Sequence, residues 1–111
     1  MRSLAALGPE PAPYTAHVGA RLIERRLNQL GARLRSLREE LRVIDEQLAH
    51  LDDEADDKGM RAMVAETPMA SFEYRDARSH AEAMAKHRAH VVASITELEQ
   101  RQDQLLDRMI G

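Results

Sequence analysis

Residues 23–55 read IERRLNQLGARLRSLREELRVIDEQLAHLDDEA, and the spacing of their apolar side chains decides the fold. Ile23, Leu27, Leu30, Leu34, Leu37, Leu41, Ile44, Leu48, Leu51 and Ala55 recur at alternating steps of four and three without a break. A strict heptad seam of this kind predicts a coiled-coil helix, because it keeps one narrow apolar line facing a partner helix. An ordinary amphipathic surface helix carries a broader stripe with a looser period.

Working outward, Thr15 offers a cap at the start of this helix, after a Pro-rich arm at residues 1–14 that is expected to be flexible. At the other end, Lys58 and Gly59 resemble a helix terminus, with a cation in the last turn and glycine at the C-terminal cap. Thr67 and Pro68 then read as an N-cap followed by proline at the first helical position. The expected layout is helix 1 over residues 15–58, a bend at 59–67 and helix 2 over 68–110. The alternative is a first helix that runs on past Gly59 into MRAMVAE.

Helix 2 carries a second seam: Ala70, Tyr74, Ala77, Ala81, Met84, Arg88, Val91, Ile95, Leu98, Gln102, Leu105, Met109. Folded back across the bend, it is expected to layer Leu27 with Leu98, Leu30 with Ile95, Leu34 with Val91, Leu41 with Met84, Ile44 with Ala81, and Leu51 with Tyr74. Arg88 then falls opposite Leu37 and Gln102 opposite Ile23, where a polar seam residue fixes register at some cost in stability. The alternative for Arg88 is contact with a partner. Flanking pairs expected from this register are Asp45 with Arg78 and Glu40 with His87, both favourable, and Arg26 with Arg101, which is not. The fold class is therefore all-α, an antiparallel two-helix coiled-coil hairpin. Val92, Leu106 and Ile110 lie beside the second seam and are candidates for self-association into a four-helix-bundle homodimer.

Composition excludes several classes of function. Cysteine is absent, which removes disulfides, zinc ribbons and thiol chemistry. Trp is absent and there are only one Phe and two Tyr, too few for an ordinary globular core. Before Gly8 the apolar run is shorter than a signal peptide needs, and no other run approaches a membrane span, so a soluble, cytoplasmic protein is expected. Arginine outnumbers lysine fourteen to two, a bias expected of a GC-rich bacterial genome. No nucleophile with a nearby base and no Gly-rich phosphate loop is present, so no enzymatic activity and no cofactor are expected.

Charge is unevenly spread beneath a net value of −3. Residues 1–43 carry eight Arg against four Glu, residues 44–57 carry seven acids and no Lys or Arg, and residues 58–111 carry eight of each sign. The run DDEADD, residues 52–57, does not match the calcium-loop spacing of an EF-hand, and is read first as a solvated acidic patch, then as a protein-docking tip, and last as a metal site. Asp52, Asp53, Asp56 and Asp57, with Phe72 and Arg88, are the candidate partner-binding residues; the alternative for Phe72 is that it closes the end of the core. His80, His87 and His90 on helix 2 are read as ordinary surface histidines; a metal site using His80, His87 and Glu82 is the alternative, and it lacks the Glu-x-x-His spacing of di-iron bundles. The arginines of helix 1 alternate with Glu24, Glu39 and Glu40 and have no aromatic platform, so nucleic acid is not the expected partner.

At an acidic stretch just before a bend, DDEADD resembles the coiled-coil tips of bacterial transcription factors that enter the secondary channel of RNA polymerase. That resemblance implies docking on RNA polymerase or a sigma factor. The hairpin anti-sigma factors of filamentous actinobacteria bind a cyclic dinucleotide through an E-x3-S-x2-R-x3-Q-x3-D motif, which is found on neither helix here. The expected function is a self-associating, non-enzymatic coiled-coil scaffold or adaptor, with the transcription regulator as the alternative.

Overall fold

A computed structural model describes the backbone of residues 13–111 and the side chains from residue 18 onward. Two helices account for nearly all of it: α1, Pro13–Ala65, and α2, Pro68–Ile110, packed along each other as an antiparallel hairpin. The Pro-rich arm lies outside the described residues except for Pro13 and Tyr14, which belong to α1, so Thr15 follows the helix start and does not cap it.

Burial follows the heptads. Leu34, Leu37, Ile44 and Ala55 on α1 and Ala77, Ala81, Val91, Ile95 and Leu105 on α2 are buried, and all are seam positions. Leu34, Leu37, Ile44, Val91 and Ile95 form the central cluster, with Leu41, Met84 and Leu98 packed against it.

Gly59 does not end the first helix. Helix α1 continues through it for almost two more turns, to Ala65. A mid-helix glycine costs only about 1 kcal/mol relative to alanine, and the seam runs through it, from half-buried Lys58 just before to half-buried Ala62 just after. What Gly59 supplies is space: a β-carbon there would stand 2.9 Å from Cε1 of Tyr74 on the opposite helix. The true stop is Pro68, which disfavours helical backbone in the residue before it. Thr67 is accordingly extended, with φ −108° and ψ 152°.

The bend is therefore only Glu66 and Thr67. Glu66 is left-handed at φ 52°, and its N–H donates to the Ala62 carbonyl at 3.1 Å, the αL form of helix ending. Thr67 caps α2 as the T-P pair predicts, its hydroxyl accepting from the Ala70 N–H at 3.2 Å. An L-residue in the left-handed region costs roughly 1–2 kcal/mol. Glu66→Gly is therefore expected to stabilise the hairpin by about 0.5–1 kcal/mol, after the greater entropy of glycine in the unfolded chain is set against it. Urea denaturation checks this, and an unchanged or lower midpoint would contradict the strain assigned to the bend.

The shorter bend moves the register by one heptad from the one expected. Tyr74 rests on Gly59 instead of Leu51, Arg88 bonds Asp45, and Arg38 bonds Glu99 at 3.0 Å. These contacts set the layers as Leu34 with Leu98, Leu37 with Ile95, Leu41 with Val91, Ile44 with Arg88, Leu48 with Met84, and Ala55 with Ala77. Of the expected flanking pairs, His87 does approach Glu40, at 3.5 Å, whereas Arg78 reaches Glu82 at 3.7 Å on its own helix and not Asp45. Where Ala55 meets Ala77, both are almost fully buried, and the small side chains let the two backbones approach.

Along the outer faces, ion pairs at three- and four-residue spacing support each helix. Arg42 bridges Glu39 and Glu46 at 2.8 and 2.7 Å, and its hydrogen bond holds the Glu39 carboxyl below its ordinary value. Both partners are exposed, so such pairs add little to stability.

Candidate docking surfaces

Extending α1 past Gly59 rearranges the expected site. The acidic run is not at the bend: Asp52–Asp57 sits on the shaft, Asp57 about 12 Å of helix rise short of Ala65 at 1.5 Å per residue. It is thus clear of the last turn, where carboxylates oppose the helix dipole. Part of the run is neutralised locally. Glu54 pairs with Lys58 at 3.1 Å and Asp57 with Arg61 at 3.0 Å. Asp52, Asp53 and Asp56 have no basic partner within 4.0 Å among the described residues.

The end itself is apolar. Met63 is 78% exposed, Val64 86% and Phe72 58%, with Met60 and Met69 also exposed on the same turns. Asp57 and Arg61 border Met60 and Val64, while Asp56 and Tyr74 border Met60 and Met63. Phe72 does not close the end of the core; Tyr74 takes that place over Gly59, and Phe72 points away from the seam. A bend over 59–67 gives Met60, Met63 and Val64 no face, while Met69 lies in the first turn of α2. Carried forward as helix, the heptads place Met60, Met63 and Val64 off the seam, which is the signal that identifies them.

Arg88 is half-buried on the seam and its guanidinium donates to Asp45 across the hairpin, the register-fixing arrangement. Val92 is half-buried, Leu106 is partly exposed and Ile110 is 87% exposed. The Arg38–Glu99 bridge lies between Val92 and Leu106 along this stripe.

His80 reaches Asp76 at 3.8 Å, and His87 reaches Glu40 across the hairpin. Glu82 faces Arg78. Among the described residues no three His, Asp or Glu side chains converge in a way that could hold a metal ion. No described helix is long and apolar enough to cross a membrane.

Comparison with protein-family models, with curated proteins and with solved structures finds no match for this chain. Its likeness to the secondary-channel transcription factors rests on DDEADD and the hairpin architecture. The position of those acids, behind an apolar end, departs from that likeness.

Proposed function

We propose that the chain is a non-enzymatic coiled-coil adaptor that holds a protein partner at the bend end of the hairpin. The observation that supports it is Met60, Met63 and Val64, neighbours along the end of α1, and Met69 and Phe72 at the start of α2, all left in water where a helical hairpin has no need of them. Exposed apolar side chains gathered at one place with a polar rim are characteristic of protein-binding surfaces. Methionine adapts its shape to a partner, and an aromatic residue anchors it. Asp56 and Asp57 supply the rim and favour a partner with basic residues around an apolar hollow.

Self-association belongs to the same proposal. Leu106 and Ile110, with Val92 beyond the Arg38–Glu99 bridge, offer a second stripe on α2 for a homodimeric four-helix bundle. The alternative function is a bacterial transcription regulator that docks on RNA polymerase or a sigma factor. Asp52, Asp53 and Asp56, which lack basic partners among the described residues, favour it.

Affinity capture from the native host separates these readings. Met63→Ser/Val64→Ser/Phe72→Ser is expected to reduce partner recovery at least about ten-fold, the scale of a lost apolar hot spot. Helicity should remain unchanged, since none of the three is buried. Full recovery with this variant would remove the adaptor proposal. Recovery of polymerase or sigma subunits that depends instead on Asp52, Asp53 and Asp56 would favour the alternative.

A further inference from the structure

Far from the bend, α1 and α2 border a groove rimmed by Arg26 and Arg33 from one helix and Arg101 and Arg108 from the other. Its floor is Leu30 and Leu105, and Gln29 and Gln104 extend its edges. In the register of the hairpin, Arg26 stands level with Arg108 and Arg33 with Arg101, so like charges face each other twice across one seam. Elsewhere the flanks are matched, by Arg38 with Glu99, Asp45 with Arg88 and Glu40 with His87. Of the four arginines only Arg101 has a carboxylate within 4.0 Å among the described residues, Glu97 at 2.9 Å. Like charges set opposite one another oppose folding, so the hairpin itself gains nothing from this arrangement.

We propose that this groove receives an acidic amphipathic helix from a protein partner. The inference rests on the adaptor reading above and adds a second, chemically distinct contact at the opposite end of the rod. The two arginine levels are one heptad apart, about 10 Å at 1.5 Å per residue. A helix laid along the groove presents carboxylates at the same spacing on both sides of an apolar line, and that line meets Leu30 and Leu105. The arginine fork binds carboxylates in two-pronged fashion.

Two other occupants fit less well. The groove is open along its length, so a small phosphate compound would keep most of its hydration, unlike ligands of enclosed pockets. Nucleic acid would meet a chain of net charge −3. Among the residues whose side chains are described, it would also find no aromatic on the groove, since Phe72 and Tyr74 are at the other end.

Fluorescence anisotropy with the full chain tests the proposal. The probe is a designed three-heptad helical peptide with a leucine line flanked by glutamates at heptad spacing. Its controls are a peptide of the same composition with the glutamates off that spacing, inorganic tripolyphosphate as competitor, and a labelled DNA duplex. The heptad-spaced peptide should bind at least about ten-fold more tightly than the scrambled one. Arg33→Glu/Arg101→Glu should weaken it by a similar factor, and a lysine version of the peptide should bind that variant better than the wild type, as charge complementarity requires. Circular dichroism of the variant should show helicity close to that of the wild type, because both positions are exposed and one like-charged pair replaces another, with only the surface Arg101–Glu97 pair lost. Met63→Ser/Phe72→Ser should leave peptide binding unchanged, so failure at the bend and failure at the groove are told apart. Equal binding of the scrambled peptide would overturn the proposal, as would indifference to Arg33→Glu/Arg101→Glu. So would tighter binding of tripolyphosphate or DNA, or a homodimer that these substitutions dissolve, which would make a second copy the occupant.

Discussion

Leu34→Ala is expected to lower the unfolding free energy by about 3 kcal/mol, within the range for a buried leucine whose site collapses only in part. Leu34 is 1% exposed and belongs to the central cluster with Leu37, Ile44, Val91 and Ile95, so the lost methyl groups leave a void lined by side chains on both helices. Domains are held by only ~5–15 kcal/mol in total, and in a two-helix hairpin one layer is a large share of that. The comparison is Leu22→Ala, which removes the same atoms from a side chain 47% exposed and should cost less than about 1 kcal/mol. Urea denaturation followed by circular dichroism measures both. Equal losses would mean that the seam is not the core.

The second large effect is expected at Gly59. Alanine there brings a gain in helix propensity of about 1 kcal/mol, but its β-carbon stands 2.9 Å from the Tyr74 ring, so gain and crowding oppose each other. Leucine removes the ambiguity. Its branched side chain occupies the volume of the ring, and Gly59→Leu should destabilise by roughly 2–3 kcal/mol, the scale of overpacking. Tyr74→Ala vacates the same space. The double variant should therefore lose at least about 1 kcal/mol less than the two single losses added together, as expected of residues in contact. Strict additivity would show that Tyr74 does not lie on Gly59, and the register drawn from that contact would have to be abandoned.

Much of this fold is legible in the amino-acid sequence. The heptads of residues 23–55 anticipate which side chains are buried, from Leu34 to Ala55, and Thr67-Pro68 marks the start of α2 to the residue. Register is not legible in the same way, for a physical reason: a heptad seam slid by one heptad still sets apolar against apolar. Only the bend length separates the two alignments, and that depended on Gly59. Read locally, glycine after lysine is a helix ending. Its actual role depends on Tyr74, which no local pattern connects to it. The apolar end is illegible for the same reason, because Met60, Met63 and Val64 acquire an orientation only where α1 continues past Gly59. So is the arginine groove. The expected register set Arg26 against Arg101 as a single unfavourable pair, whereas the shifted one aligns two pairs a heptad apart.

A bend of two residues also dictates the order in which the hairpin can close. The contacts nearest Glu66 and Thr67 link residues close in the chain and need the least loop closure, while each further layer joins residues more distant in sequence. Once Tyr74 has met Gly59, successive layers add against a neighbour already in place, so assembly advances like a zipper from the bend. Opening reverses that order: the layers around Leu30 and Leu105 form last and separate first. The arginine groove thus lies at the breathing end of the molecule, and a helix seated there would act as a clasp, joining two strands of a rod whose other end is already shut.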